Sequence, residues 1–251
     1  MVSLTFYWRR LRILRRRNVG LTQLLIHSVT LLPYSLLLLD YDGTLCDTRE
    51  AIKHSMRRTF QLLGYPAPTE ALMDEAVGRG LVLPDMLLWL HPPGTPPLPA
   101  VWVDTYRMVY NTESEELATL FPGAEQVLAT AAAHGQSVVV ISNKGLDILE
   151  HSLRRLGLRD QVALVLGDSP SRVLPLKPDP ALFTQVVQAH FPHVSLAATL
   201  MVGDTATDLL FAENCGIAAC WASYGFGQEV DCLPLHPAHR INTPLELLPL
   251  L

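Results

Sequence analysis

Lysine is nearly absent from this chain. Its 251 residues hold three, Lys53, Lys144 and Lys177, against sixteen arginines. Acidic residues are missing before Asp40, while Arg9, Arg10, Arg12, Arg15, Arg16 and Arg17 crowd the start. Charge of either sign is missing from Leu21 to Leu39. No two of the four cysteines (Cys46, Cys215, Cys220, Cys232) stand in C-x-x-C spacing, so free thiols in a reducing cytosol are expected. No internal repeat is present. A net charge of −5 excludes a general attraction for nucleic acid, and an apolar fraction of 49% excludes disorder of the whole chain. The length suits one large domain or two modest ones.

The uncharged run has two readings. It is long enough to span a bilayer, and its basic flank suits a cytoplasmic side or a signal sequence. Against an anchor, Pro33 divides it, and Gln23, His27, Ser28 and Thr30 dilute its first half. The second half, Tyr34–Leu39, has the length of a parallel strand buried on both faces. We read it as that strand, with 1–33 as a basic and apolar extension, disordered, on a cytoplasmic protein. A targeting segment is the alternative.

Further strand-like runs are Ser137–Ile141, Val162–Leu166, Ala198–Val202 and Ile217–Trp221. Helical patterns lie between them. Leu146, Leu149, Leu153 and Leu156 keep helical spacing before Gly157, Ala206–Cys215 precedes Gly216, and Pro122–His134 precedes Gly135. This alternation predicts an α/β fold, a parallel sheet with helices on both faces. Residues 49–120 break it. Asp47 and Glu50 have capping-box spacing, and Ile52, Met56, Phe60 and Leu63 mark one helical face. Thr69 can cap a second helix, Glu70–Val77, "LPDMLLWL" suggests a third, and Pro99–Leu120 a fourth.

In parallel sheets chemistry collects at the carboxyl ends of strands. The polar residues there are Asp40 and Asp42, Ser142 and Asn143, Lys177 in "LKPDP", and Asp204 and Asp208 in "VGDTATD". Several carboxylates in one cleft repel one another unless a cation joins them, and oxygen ligands suit Mg²⁺. A lysine with hydroxyl and amide donors complements a phosphoryl group. Each piece alone also reads as structure: a turn, a helix cap, a loop lysine, a helix-start charge. Four together, in this order, are harder to explain that way.

The motifs "DYDGTL", "VVVISNK", "LKPDP" and "MVGDTATD" resemble those of the haloacid dehalogenase superfamily. The resemblance runs from Tyr34 to the C-terminus. "DTREAIKHSMRRTFQLLG", "VGRG" and "FPGAEQVL" are most similar to its phosphoglycolate phosphatase branch. It implies a Rossmann-like core over 34–48 and 121–251 and an inserted all-helical cap over 49–120. By position it implies Asp40 as nucleophile, Asp42 as acid and then base, and Lys177 as the neutralising cation. Ser142, Asn143, Thr44 and Gly43 would contact phosphate, with Thr44 also orienting Asp42. Asp40, Asp42 (through its backbone carbonyl), Asp204 and Asp208 would surround Mg²⁺, Asp208 directly or through water. Arg79 in "VGRG" is the candidate substrate contact in the cap. Lys144 reads more weakly, as a helix-start lysine, and Lys53 as solvated surface. Cys46 reads as a packed thiol, and His134 and His151 as surface residues without a catalytic role.

Asp42 also separates reaction types. An alkoxide needs an acid to leave, whereas a halide does not. The expectation is therefore a Mg²⁺-dependent phosphatase acting on a small phosphorylated metabolite, phosphoglycolate phosphatase-like, without nucleic acid or membrane as partner. The alternatives are a phosphomutase of the β-phosphoglucomutase type, which shares these residues, and a non-catalytic binding or regulatory protein on the same fold.

Overall fold

Four consecutive leucines form the first strand, β1 (Leu36–Leu39), and all four are buried. Successive side chains of a strand point to opposite faces. Leu37 and Leu39 enter one apolar cluster with Val138, Val140, Leu200 and Val202. Leu36 and Leu38 enter another with Val139, Ile141, Met201 and Phe211. A strand covered on both faces has no place for a polar residue, and this accounts for the unbroken run. The structure, a computed structural model, describes residues 34–169, 171 and 174–251. The arginine-rich start and the first half of the uncharged run lie outside the described residues. No helix among the described residues is long and apolar enough to cross a membrane.

In chain order β1 is followed by β2 (Cys46–Asp47), then α1 (Arg49–Leu62), α2 (Glu70–Gly78), α3 (Leu83–Trp89) and α4 (Val101–Val109). Helical turns continue from α4 to Leu117, where the sequence predicts one helix to Leu120; the chain instead ends extended in β3 (Thr119–Leu120). β3 pairs antiparallel with β2, so a short ribbon joins the two places where the chain leaves and rejoins the sheet. Then come α5 (Ala124–Ala133), β4 (Ser137–Gly145), α6 (Leu146–Arg155), β5 (Leu164–Asp168), α7 (Gln188–His190), β6 (Thr199–Gly203), α8 (Ala206–Cys215), β7 (Ala218–Ala222), α9 (Glu229–Cys232) and β8 (His239–Ile241). The sequence reading lacks β8, a three-residue edge strand with one buried residue and little periodicity.

The sheet has six strands in the order β5-β4-β1-β6-β7-β8, with every pairing parallel. The chain builds outward from β1 on one side and then returns to build on the other. Such a reversal opens a crevice at the carboxyl ends of the strands.

The helical cap has its own core, where Met56, Phe60, Met73, Leu87 and Trp102 pack together. The Asp47–Glu50 capping box does not form. Thr48 precedes α1, and Asp47 instead accepts from the Arg49 amide at 3.2 Å. Thr69 does cap α2, accepting from the Leu72 amide at 3.3 Å. Lys53, expected on the solvated surface, is buried, because α2 offers it Glu70 at 2.7 Å and Asp74 at 3.0 Å.

Candidate active site

The strand ends place Asp40, Asp42, Ser142, Asn143, Lys177 and Asp208 around one cleft of about 280 Å³, which the cap covers. Asp40 follows β1 directly and is 6% exposed. Its Oδ1 accepts from Lys177 Nζ at 2.8 Å; among the described residues its Oδ2 accepts from none. Lys177 Nζ also donates to Asp208 Oδ1 at 2.6 Å. Burial alone would lower the pKa of Lys177, but the two carboxylates outweigh it and raise it. Asp40 is pushed up to about 7, chiefly by burial, with Asp208 and Asp42 adding to it and Lys177 opposing. Asp204 is also raised, first by burial and then by Asp208 and Asp40.

Oxygens of Asp40, Asp204 and Asp208 come within 4.8 Å of one another, and all three residues are buried. Asp42 is the fourth carboxylate. Lys177 and Lys144 are the cations paired with this group, which with all four carboxylates ionised leaves two negative charges over. A hard divalent cation matches that remainder and this all-oxygen donor set. The three carboxylates differ in freedom. Asp208 is committed on both oxygens, with Oδ2 accepting from the Thr205 amide at 3.0 Å and hydroxyl at 2.9 Å. Its geometry suits a position behind Lys177. Asp204 is held by the Phe226 amide at 2.7 Å and by Thr44 Oγ1 at 3.4 Å.

Three expectations change here. The Thr44 hydroxyl reaches Asp204, not Asp42 or the cleft, because the turn after β1 runs beside β6. The Gly43 amide is spent on the Cys46 carbonyl at 2.8 Å and is not free for phosphate. Gly43 is needed for space: its φ is +81°, and a Cβ there would collide with the Asp204 carboxylate. Arg79 does not line the cleft. Its guanidinium is drawn to Glu75 at 2.8 Å and lies over the Trp89 ring.

Asn143 lines the cleft, but its amide is clamped to the Lys177 backbone. Oδ1 accepts from the Lys177 amide at 3.0 Å, and Nδ2 donates to its carbonyl at 2.9 Å. Ser142 Oγ accepts from the Lys144 amide at 3.4 Å and keeps its own proton to donate. Lys144 carries more than the sequence reading allows. Its side chain is 8% exposed, donates to Asp42 Oδ1 at 3.0 Å and lies 3.9 Å from the Tyr110 ring centre. Burial opposes its charge, but Asp42 and Tyr110 outweigh this and raise its pKa. The signal was present: one of only three lysines follows Ser142–Asn143 directly. The sequence reading also misses Arg107, which donates to Asp168 at 2.5 Å across the mouth of the cleft, and Phe226 with its flanking glycines, which packs against Asp204.

Cys46 is buried, and burial pushes its thiol up to about 12, as expected of a packed cysteine. The His134 ring is bonded to the Leu251 carbonyl at 3.0 Å, and neither His134 nor His151 lines the cleft.

Known proteins are similar to this chain over most of its length. A phosphoglycolate phosphatase from Yersinia pseudotuberculosis is 26% identical over 212 residues, spanning 84% of this chain and 90% of its own length. One from Vibrio cholerae is 27% identical over 226 residues, spanning 85% and 96%. The crystal structure of a haloacid dehalogenase-like hydrolase from Bacteroides fragilis superposes with a TM-score of 0.76 at 20% identity, over 85% of this chain and 99% of that one. The model of the haloacid dehalogenase-like hydrolase family matches residues 37–222, most of the sheet and all of the cap, and the chain belongs to that family.

Proposed function

We propose that this hydrolase is a phosphatase, of the phosphoglycolate phosphatase-like branch, which cleaves a small phosphomonoester through an aspartyl-phosphate on Asp40. The observation that carries this reading is the setting of Asp40. It ends a rigid central strand, and one oxygen is held by Lys177 while the other is left to attack.

Asp40 forms a bond to phosphorus as the bond to the ester oxygen breaks. Asp42 protonates the departing alkoxide and then takes a proton from the water that attacks the phosphoryl group, freeing phosphate and Asp40. Lys144 fixes the direction of the Asp42 carboxylate. Lys177 neutralises charge on Asp40 and on the transferring group, and the Ser142 hydroxyl donates to a phosphoryl oxygen. Asp40, the Asp42 backbone carbonyl and Asp204 would hold Mg²⁺, which when bound offsets the negative charge of the phosphoryl oxygens. Residues 49–120 act as a cap that shields the intermediate from bulk water.

Phosphate release from an alkyl and aryl phosphate panel, with Mg²⁺ and with EDTA, tests the reading. Wild type releases phosphate steadily, and Asp40→Asn is slower by at least about a thousandfold. Activity that survives in Asp40→Asn, or wild type inactive on the whole panel, rejects it. Turnover that depends on an added sugar bisphosphate identifies a mutase instead.

A further inference from the structure

The cleft has two unlike walls. Its floor is polar and belongs to the sheet. Its roof belongs to the cap, where Ile52, Val77, Leu81, Leu83 and Met86 form an apolar surface and Tyr106, Arg107, Tyr110 and Asn111 supply the polar groups. The phosphoryl group occupies the floor, so the alcohol part of the ester faces the roof.

Phosphoglycolate carries a carboxylate on that part. A carboxylate taken from water needs a cation or several donors to offset its lost hydration. Among the described residues, the cations of this cleft are already engaged. Lys177 holds Asp40 and Asp208, and Lys144 holds Asp42. Among the described residues, Arg107 is the one cap cation lining the cleft, and Asp168 takes it at 2.5 Å. Arg49 and Lys53 pair with Asp74, and neither they nor Arg79 line the cleft. Asp147 adds negative charge at the mouth, where the Arg107–Asp168 pair adds none. Among the described residues, a second anion on the substrate would find no uncommitted cation in the cleft, only the neutral donors of Tyr106, Tyr110 and Asn111 beside the apolar surface.

Building on the phosphatase reading, we propose that the ester this cleft takes carries an apolar body, a ring or a branched hydrocarbon, where phosphoglycolate carries its carboxylate. The family branch then describes the catalytic machinery, and the roof selects a different alcohol. The volume of about 280 Å³ lies near the lower end for ligand pockets, roughly 300 Å³, and suits a small metabolite.

Benzyl phosphate and 2-phosphoglycolate test this directly. Both release an alkoxide, so the comparison is not dominated by an easier leaving group. With Mg²⁺, kcat/KM for benzyl phosphate exceeds that for 2-phosphoglycolate by at least about tenfold, mainly through KM. Leu81 lies in a loop and is 36% exposed, so its replacement leaves folding intact. Leu81→Ala narrows the preference by roughly three- to tenfold, the scale of a lost apolar contact, and Leu81→Lys moves it further towards 2-phosphoglycolate. Arg107→Gln leaves the order of the two substrates unchanged. Preference for 2-phosphoglycolate in wild type, or its selective loss by more than about tenfold in Arg107→Gln, overturns the inference while the phosphatase reading stands. Hydrolysis of neither ester by wild type overturns both.

Discussion

Lys177 lies between two buried carboxylates and is itself 3% exposed. Removing one partner of such a group costs more than the pair itself contributes, because charge is left without water or counter-ion. In metal-free buffer Lys177→Met should lose about 3–5 kcal/mol of stability in urea unfolding, together with activity. Asp40→Asn should behave oppositely. It removes a carboxylate that burial and its neighbours already disfavour, and Lys177 keeps Asp208. Its melting temperature in EDTA should equal or exceed that of wild type; a fall of several degrees would show that the Asp40–Lys177 pair is a net support of the fold. The thiols offer a separate check. Cys46, Cys215, Cys220 and Cys232 are buried, and burial pushes each up to about 12. Burial disfavours the thiolate, so at pH 8 about one in ten thousand of each would be ionised. Native protein should react with a disulfide reagent in none of the four positions within minutes, and in all four once unfolded. Rapid labelling of the native chain would contradict this packing.

Among the elements, the start of α8 joins helix stability to the site. Asp208 reaches back to the Thr205 amide and hydroxyl through Oδ2, while Oδ1 holds Lys177. Thr205→Ala removes the hydroxyl bond and should cost about 1 kcal/mol in denaturant unfolding. It should also lower kcat several-fold, since Asp208 then holds Lys177 less rigidly. Thr205→Ser keeps the hydroxyl and should restore both; a serine variant as impaired as alanine would place the effect in the lost methyl group. The turn after β1 is similarly constrained, because Gly43 and Gly225 both let backbone pass where a Cβ would meet Asp204.

At the scale of the molecule, the sheet supplies a carboxylate-rich floor and the cap a largely apolar roof. A metal held by the carboxylates of the floor would make folding and metal binding linked equilibria. A ligand that binds only the folded state stabilises it by about 2.7 kcal/mol at a hundred times its dissociation constant. Mg²⁺ should therefore raise the melting temperature in proportion to the logarithm of its concentration, and Asp204→Asn should blunt the rise. Equal shifts with Na⁺ at matched ionic strength would point to screening in place of a bound ion.

The sequence alone determined the parallel sheet, the burial of β1 on both faces and the residues gathered at the strand ends. These follow from local periodicity: a strand buried on both faces must be apolar throughout, and polar residues accumulate where such strands stop. Only the tertiary structure decided what those residues face. Thr44 and Gly43 read as phosphate contacts because they follow Asp40, but their partner is Asp204, 160 or more positions away in the chain. Lys144 and Lys53 read as surface residues on their own helices and strands, yet each is buried against carboxylates of another segment. Arg79 stands beside a glycine turn at the cleft, and a carboxylate one helical turn away holds it outside. Electrostatic partners are chosen by distance in space, which a one-dimensional pattern does not carry, and the crossing of strands and cap set each of these distances.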